Sequence, residues 1–165
     1  MRHASLVVIL TLAAMPATAA PGEPTVRVLE YGRFETHEAG QPIKDDRVAG
    51  GERQPVDAHR LIERTDQIAG VLGNSFGVVL RFENFPPDPV VITVRVSHPP
   101  ITNPATGKTL TVSEYQWSMS VRDNAYFGYK LGHSWLIAEG VWGHQFVYKG
   151  RVLAEKKFKV VVPLN

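Results

Sequence analysis

Strict alternation of apolar and polar residues is the feature that most constrains the fold of this chain. The segment "VVITVRVS" places four apolar residues on one face, Val90, Ile92, Val94 and Val96. The segments "SFGVVLRFE" and "TLTVSEYQWSMSV" repeat the pattern. A period of two is typical of a β-strand with one buried face, whereas a helix repeats its apolar residues every three or four positions. These segments therefore predict an all-β domain.

Proline-rich stretches separate the predicted strands. "NFPPDP" and "HPPITNPATGK" each carry three prolines. Proline cannot donate a hydrogen bond to a β-ladder, so both stretches are expected to be connections and not central strands. Short strands with turn signals between them predict an antiparallel, immunoglobulin-like β-sandwich of about seven to eight strands. A small closed β-barrel is the alternative.

The N-terminus has the pattern of a secretory signal peptide. Arg2 and His3 precede the apolar run "ASLVVILTLAAM", which is too short to span a bilayer. Small residues at Ala17 and Ala19 fit the positions that a signal peptidase reads. We therefore predict a signal peptide over residues 1–19 and a single domain over residues 20–165 that is periplasmic or secreted. An uncleaved membrane anchor is the alternative; the mature chain itself is not expected to insert stably into a membrane.

Charge and cysteine content exclude several classes of function. The sequence has 18 Lys and Arg against 16 Asp and Glu, and only one of these, Arg2, lies in the predicted signal peptide. A nearly neutral mature chain without a basic cluster gives no electrostatic case for binding nucleic acid. The absence of cysteine excludes disulfides, thiol catalysis and thiolate metal sites. The hydrophobic core must therefore stabilise the fold.

A long polar segment interrupts the strand pattern at residues 37–59. It carries Gly40, Gly50 and Gly51, and its apolar residues occur only in ones and twos. Connections of this length are usually functional or disordered. Because so few apolar groups cannot offset the entropy of ordering the backbone, we expect a mobile loop outside the core.

The C-terminal segment "GVWGHQFVYKGRVLAEKKFKVVV" reads as a β-hairpin. Lys149 and Gly150 are expected to form the turn, where glycine supplies a positive φ angle. On the return strand, Leu153 and Phe158 have opposite parity and cannot both face the core of a regular strand. We therefore predict a β-bulge between Ala154 and Lys157.

These motifs together resemble a bacterial exported family catalogued as domain of unknown function 3859. The shared features are a leading threonine, "GxxFG", "NPxTGK", "GxW" and "GRxLAExxFxV". In this chain they fall at Thr65, residues 73–77, 103–108 and 140–142, and residues 150–160. The chain departs from the pattern at His144, where an apolar residue is expected. The resemblance implies an immunoglobulin-like fold and export, and it implies no reaction.

The sequence carries no recognisable catalytic or metal-binding motif. The histidines after the predicted signal peptide lie far apart, without the H-x-H or H-E-x-x-H spacing of metal sites. No G-x-S-x-G nucleophile motif is present. Asp45 and Asp46 are adjacent carboxylates, but they fall in the polar segment, where they are expected to be solvated. We therefore predict a protein that is not an enzyme and that needs no cofactor or metal.

Aromatic residues of the C-terminal half are the candidates for a ligand or partner surface. Trp117 and Trp142 lie in alternating patterns and are expected in the core. Trp135, Tyr126 and Tyr129 are less committed to a core, and they could contact a protein or carbohydrate partner. His144 joins them as a candidate, although a hydrogen-bonded or rim-exposed structural histidine is the competing interpretation.

Three functions remain open from the sequence. The first is a non-catalytic periplasmic binding or interaction module, which the fold and the missing catalytic motifs favour. The second is a structural or envelope accessory protein without a discrete ligand site. The third is an enzyme with an unrecognised site, which a deep pocket with converging ionisable groups would reveal.

Export gives the first testable prediction. Intact-mass analysis of the protein from a periplasmic fraction should show a chain that begins at Ala20. Recovery of the full-length chain from the inner membrane would instead support the uncleaved anchor.

Overall fold

The computed structural model describes residues 22–87 and 89–164. The predicted signal peptide and its cleavage site lie outside these residues. The regular secondary structure of the described chain consists of strands, apart from a short 3-10 helix at Ser134–Leu136.

Four antiparallel strands form the first sheet. They are β1 (Thr25–Glu38), β4 (Val56–Glu63), β6 (Ser75–Glu83) and β9 (Ala125–Lys130). Their order across the sheet is β4-β1-β6-β9. Gly32 lets β1 and the end of β4 approach closely, because a Cβ atom there would lie 2.0 Å from the carbonyl oxygen of Glu63. The close backbone approach expected for a glycine within a strand is thus found.

Five strands form the second sheet. They are β5 (Gln67–Ala69), β7 (Val90–Thr102), β8 (Thr109–Met119), β10 (Gly140–Tyr148) and β11 (Arg151–Val161). Their order is β5-β11-β10-β7-β8, and the pairing is antiparallel except between β5 and β11. β7 includes the "HPPIT" residues that the sequence assigned to a connection, and its pairing with β8 shifts register between Ser97 and Ile101. The expectation that these residues form a connection is therefore wrong. The irregular pairing lets the prolines lie within the strand, although they cannot donate hydrogen bonds to the ladder.

The two sheets pack face to face as a β-sandwich. Among the described residues no ladder joins one sheet to the other, so the alternative of a closed barrel is wrong. The sheets contain four and five strands, slightly more than predicted. The extra strands gave weak signals: β5 has only three residues, and almost every residue of β4 is exposed and gives no apolar alternation.

The core is built from the alternating faces that the sequence predicted. Phe76, Val78 and Leu80 of β6 face inward, as do the even-numbered apolar residues of β7, and all are buried. Trp142 is fully buried on β10, and its indole Nε1–H donates to the carbonyl oxygen of Ala138 at 2.9 Å. The expectation that Trp142 belongs to the core is therefore confirmed.

The C-terminal hairpin has the predicted turn and a bulge at a different place. Lys149 and Gly150 have φ angles of 47° and 80°, as a type I′ turn requires. Phe146 lies opposite Ala154, and the next residue, Val147, lies opposite Val152. Leu153 is thus the extra residue, so the predicted position between Ala154 and Lys157 is wrong. Placing the bulge at Leu153 lets this half-buried side chain pack against the core.

The polar segment at residues 37–59 is ordered, so the expectation of a structureless mobile loop is wrong. β1 extends to Glu38 and β4 begins at Val56. Between them lies an antiparallel ribbon of β2 (Ile43–Lys44) and β3 (Glu52–Arg53). The Ala39 amide closes its base by donating to the Pro55 carbonyl oxygen at 2.9 Å. We call residues 39–55 the cover hairpin.

A buried carboxylate organises the tip of the cover hairpin. The side chain of Asp45 is 3% exposed and accepts hydrogen bonds from Arg47 Nε at 2.8 Å and Arg53 Nε at 3.0 Å. The backbone N–H of Arg47 donates to the same carboxylate at 3.1 Å. Hydrogen bonding from Arg47 lowers the pKa of Asp45 from 3.8 to about 2, although burial acts in the opposite direction. The sequence placed Asp45 in solvent because hydropathy does not register contacts of this kind.

The cover hairpin docks on the edge of the second sheet. The Ala49 N–H donates to Ser113 Oγ at 2.9 Å, and the Glu114 N–H donates to the Arg47 carbonyl oxygen at 3.2 Å. Val48 and Ala49 are 7% and 3% exposed. Polar contacts with β8, together with these two small apolar side chains, supply the order that the composition of the segment did not indicate.

Asp45 should therefore be needed for the order of the cover hairpin. Asp45→Ala removes the acceptor of two arginines, and we expect it to lower the free energy of unfolding by about 1–3 kcal/mol. Limited proteolysis should then cut first within residues 39–55. The contribution of Asp45 should be present above pH 4 and should be lost as the pH falls towards 2, because the folded-state pKa is depressed.

Asp46→Ala is the matched control, because the neighbouring carboxylate is exposed. This variant should stay within about 0.5 kcal/mol of the parent protein. If Asp45→Ala keeps the protease resistance of the parent, the buried carboxylate does not organise the hairpin.

Candidate ligand groove

A groove of about 370 Å³ lies between β9 and the cover hairpin. Residues 126–130 of β9 line one wall, and residues of the cover hairpin, among them Arg53 and Gln54, line the other. Val96 and Leu136 contribute apolar surface from the sandwich interior. The volume falls in the range of small-ligand sites in proteins.

The backbone of β9 is open on the side away from β6. Among the described strands, β9 pairs only with β6 and forms the edge of its sheet. The ladder continues to Leu131, whose N–H donates to the Asn74 carbonyl oxygen. Because hydrogen bonding alternates along an antiparallel pair, Phe127 and Tyr129 bond β6, while the N–H and C=O groups of Gly128 point away from it. Tyr126 and Lys130 share the outward direction of Gly128.

Two of the aromatic rings that line the groove, those of Tyr126 and Tyr115, each have one face covered. Tyr126 stacks on His59 with ring centroids 4.8 Å apart, and Phe34 lies 4.9 Å away. The Arg53 guanidinium lies 4.4 Å from the centre of the Tyr115 ring. One face of each of these two rings is therefore unavailable for stacking against a planar or sugar ring.

The charges of the groove largely cancel. Lys130 forms an ion pair with Glu38, and Arg53 forms one with the buried Asp45. Glu52 also lines the groove. A site with balanced charges does not select a strongly charged ligand of either sign.

The structure brings three of the four predicted surface residues to this region. Tyr126 and Tyr129 line the groove. Trp135 lies next to it in the 3-10 helix and stacks on His133, another lining residue, with ring centroids 5.4 Å apart. The Tyr129 hydroxyl is buried and has no hydrogen-bond partner in the described structure, and burial raises its pKa.

His144, the fourth predicted surface residue, lies in the core. Its exposure is 0%, and both ring nitrogens lack hydrogen-bond partners in the described structure. Its ring contacts Phe76, Phe127 and Phe158 at centroid distances of 5.3–5.7 Å. The interpretation of His144 as a hydrogen-bonded or rim-exposed residue is thus wrong, as is its place on a partner surface. Burial lowers its pKa from 6.5 to about 3, so the ring is neutral at neutral pH.

Sequence reasoning missed the residues of the cover hairpin that form half of the groove. Arg53 and Gln54 fall in the segment that was expected to be mobile. Their spacing matches no motif, and their position opposite β9 depends on how the hairpin folds back. The only available signal was the length of the segment, because connections this long are usually functional or disordered.

A serine–histidine pair lies beside the groove but is blocked. His98 Nδ1 lies 2.8 Å from the Pro99 carbonyl oxygen and must donate to it, which leaves Nε2 to accept from Ser113 Oγ at 3.1 Å. Nucleophilic serines are activated by this type of contact. Here Ser113 is 2% exposed and its oxygen also accepts the Ala49 N–H, so no substrate can reach it while the hairpin is docked. The pair holds the cover hairpin in place.

The described residues contain no group of three or more metal-ligating side chains that could hold an ion. The same residues form no helix with the length and apolar character needed to cross a membrane.

Comparison with known families identifies the domain. A family model described as "Domain of unknown function (DUF3859)" matches residues 22–160. The chain belongs to this family. The resemblance that the sequence motifs indicated is therefore confirmed, over nearly the whole described chain. No curated protein matches the sequence significantly.

A solved structure supports the architecture. The chain is similar to a crystal structure of an immunoglobulin-like protein from Pseudomonas aeruginosa, with a TM-score of 0.63 and 19% sequence identity. The match covers 87% of this chain and 100% of that one. At this identity the likeness shows the fold alone, and it confirms the predicted immunoglobulin-like sandwich.

The buried histidine gives a prediction about stability. We expect His144→Leu to stabilise the protein by about 1–3 kcal/mol at pH 7, because it removes two buried nitrogens without partners. Between pH 6.5 and 3 the unfolded chain binds a proton at His144 that the folded chain rejects. The stability of the parent should therefore fall with pH in this window by up to about 1.4 kcal/mol per unit more than that of the variant.

Urea unfolding at pH 7, 6, 5 and 4 measures both effects. His37→Gln is the control. The side chain of His37 is 75% exposed and its ion pair with Asp57 lies in solvent, where such pairs contribute little, so this variant should stay close to the acid sensitivity of the parent. The buried His98 is present in all three proteins, so their difference isolates His144. A variant that is less stable at pH 7 and equally acid-sensitive would show that His144 is not a neutral, unpartnered core residue.

Proposed function

We propose that this protein is an exported, non-catalytic binding module whose partner occupies the groove between β9 and the cover hairpin. The observation that carries the proposal is the groove itself, where an open strand edge lies opposite an ordered hairpin. An accessory protein without a ligand site would have no need of such a feature. The groove therefore favours a binding module over that alternative.

The chemistry of the groove supports binding over catalysis. A catalytic acid or base is usually held in an environment that shifts its pKa towards the working pH. Among the groove residues, Lys130 is committed to an ion pair with Glu38, and Arg53 to one with Asp45. Ser113 is capped by the Ala49 N–H. These groups fix the walls of the groove and leave none poised to react.

The proposed location is the periplasm or the exterior, after cleavage near Ala19. It is supported by the basic start, the short apolar run and the Ala17–Ala19 pair. A cysteine-free fold that relies on its core is compatible with this compartment.

A variant that fills the groove tests the proposal. Gly132 lines the groove, does not require a positive φ angle, and has no atom within 4 Å of the position of an added Cβ. Gly132→Trp should therefore fill the groove without straining the fold. The mature protein, immobilised and exposed to periplasmic extract, should retain a partner that mass spectrometry identifies. The variant should retain it at about tenfold lower yield or less, which corresponds to about 1.4 kcal/mol of binding free energy.

Ala105→Trp is the matched control, because it adds the same side chain at an exposed loop position outside the groove. It should capture the partner as the parent does. Equal melting temperatures of the three proteins would show that the fold is intact. A partner retained equally by Gly132→Trp would place the binding surface elsewhere and overturn the proposal.

A further inference from the structure

We propose that the groove binds an extended polypeptide segment of another protein, which adds to the first sheet as a strand beside β9. The inference rests on the proposed function of the groove and names the class of its ligand. Strand addition uses main-chain hydrogen bonds for affinity, and it takes specificity from the side chains that alternate along the added strand.

The direction of the β9 backbone supports strand addition. Tyr126, Gly128 and Lys130 point their N–H and C=O groups away from β6, and all three residues line the groove. Residues 126–130 all line the groove, so it follows the strand for about 14–17 Å at the usual rise per residue. An extended chain paired beside β9 could bond all three N–H groups and all three C=O groups of these residues.

The edge of β9 differs from the other strand edge on this side of the sandwich, that of β8. Proteins usually cover or interrupt an exposed strand edge, because it pairs readily with other chains. β8 is covered in this way, since Glu114 donates to the cover hairpin. No backbone hydrogen bond from the hairpin to residues 125–130 is found in the described structure. The hairpin therefore protects β8 by contact but leaves a gap beside β9.

The lining of the groove indicates the chemistry of its occupant. The paired charges of the groove do not attract a polyanion or a polycation. Val96, Leu136 and Phe127 offer an apolar surface towards the sandwich interior. The matching segment is therefore uncharged, carries an apolar side chain on its inward face, and has no proline where its N–H must bond to β9.

A carbohydrate fits the groove less well. Sugar-binding sites use the free faces of aromatic rings, but the ring of Tyr126 is stacked on His59 and that of Tyr115 lies under Arg53. A second copy of this chain is also disfavoured, because two β9 edges could pair only if the cover hairpin moved away. Both remain outcomes that the experiment distinguishes.

The free protein provides the first test, by amide hydrogen exchange measured with NMR. The N–H groups of Gly128 and Lys130 should exchange at least about tenfold faster than those of Phe127 and Tyr129, because only the latter bond to β6. If all four amides are equally protected, the edge is already satisfied and strand addition is overturned.

The second test uses linear nonapeptides selected from a displayed random library on the immobilised mature protein, with counter-selection on Gly132→Trp. A selected peptide, made synthetically and added at saturation, should slow exchange of the Gly128 and Lys130 amides by about tenfold or more. Two variants of the peptide are then compared, one N-methylated at its odd-numbered residues and one at its even-numbered residues. One of them should bind about tenfold more weakly and the other should bind as before, because a strand edge bonds every second residue.

The outcomes separate this inference from the proposed function. A peptide that binds the parent but not Gly132→Trp, and leaves the edge amides unprotected, overturns strand addition while the groove remains a binding site. A glycan captured through the groove, or a dimer formed through β9, overturns it as well. If every selected peptide also binds Gly132→Trp, or if no peptide is selected, the result counts against strand addition. The capture experiment then tests independently whether the groove is a binding site.

Discussion

The packing of Phe76 between the two sheets is the interaction on which the rest of the structure depends. This fully buried ring of β6 makes edge contacts with Trp142 and Phe158 of the second sheet, at centroid distances of 5.6 and 5.2 Å. Aromatic pairs in this geometry contribute beyond the area they bury. Because the chain has no cysteine, no disulfide can substitute for these contacts. These rings lie between the two sheets and hold them at the distance at which they pack.

The same layer explains how a histidine can lie at the centre of the sandwich. His144 stacks against Phe76 with planes 22° apart and meets Phe127 and Phe158 by their edges. Its shape suits the aromatic layer, whereas its two unpartnered nitrogens oppose stability. The ring of His144 thus packs well but leaves two polar atoms buried without partners. The same burial disfavours the charged form of the ring and so lowers the pKa of His144.

Sequence reasoning succeeded where side chains alternate across a buried face. β6 and β7 were predicted from this pattern, and the placement of Trp142 in the core followed from its face-mates. Period two reports only which side of a strand is buried, so it could not detect the exposed strand β4. It also placed the C-terminal bulge one step away from Leu153, because parity shows that a residue is extra without showing which one.

The candidate site was less predictable than the fold, because one of its walls is a strand and the other is a polar segment held by hydrogen bonds. Tyr126 and Tyr129 were found from their aromatic character, without any indication of what lay opposite them. Arg53 and the rest of the cover hairpin are ordered by hydrogen bonds to the buried Asp45, and a polar segment held in this way has the composition of a disordered one. Only the folded chain shows that the segment returns to face β9.

One arrangement of polar contacts both protects the sandwich and creates the groove. β8 and β9 are the edges of their sheets, and residues of both line the groove. The contacts of Ala49 with Ser113 and of Arg47 with Glu114 fasten the cover hairpin to β8. With its tip fixed there, the hairpin stands opposite β9, and no backbone hydrogen bond joins it to residues 125–130 in the described structure. The proposed added strand would fill the gap that this leaves. The stability of the hairpin and the shape of the groove therefore depend on the same buried carboxylate.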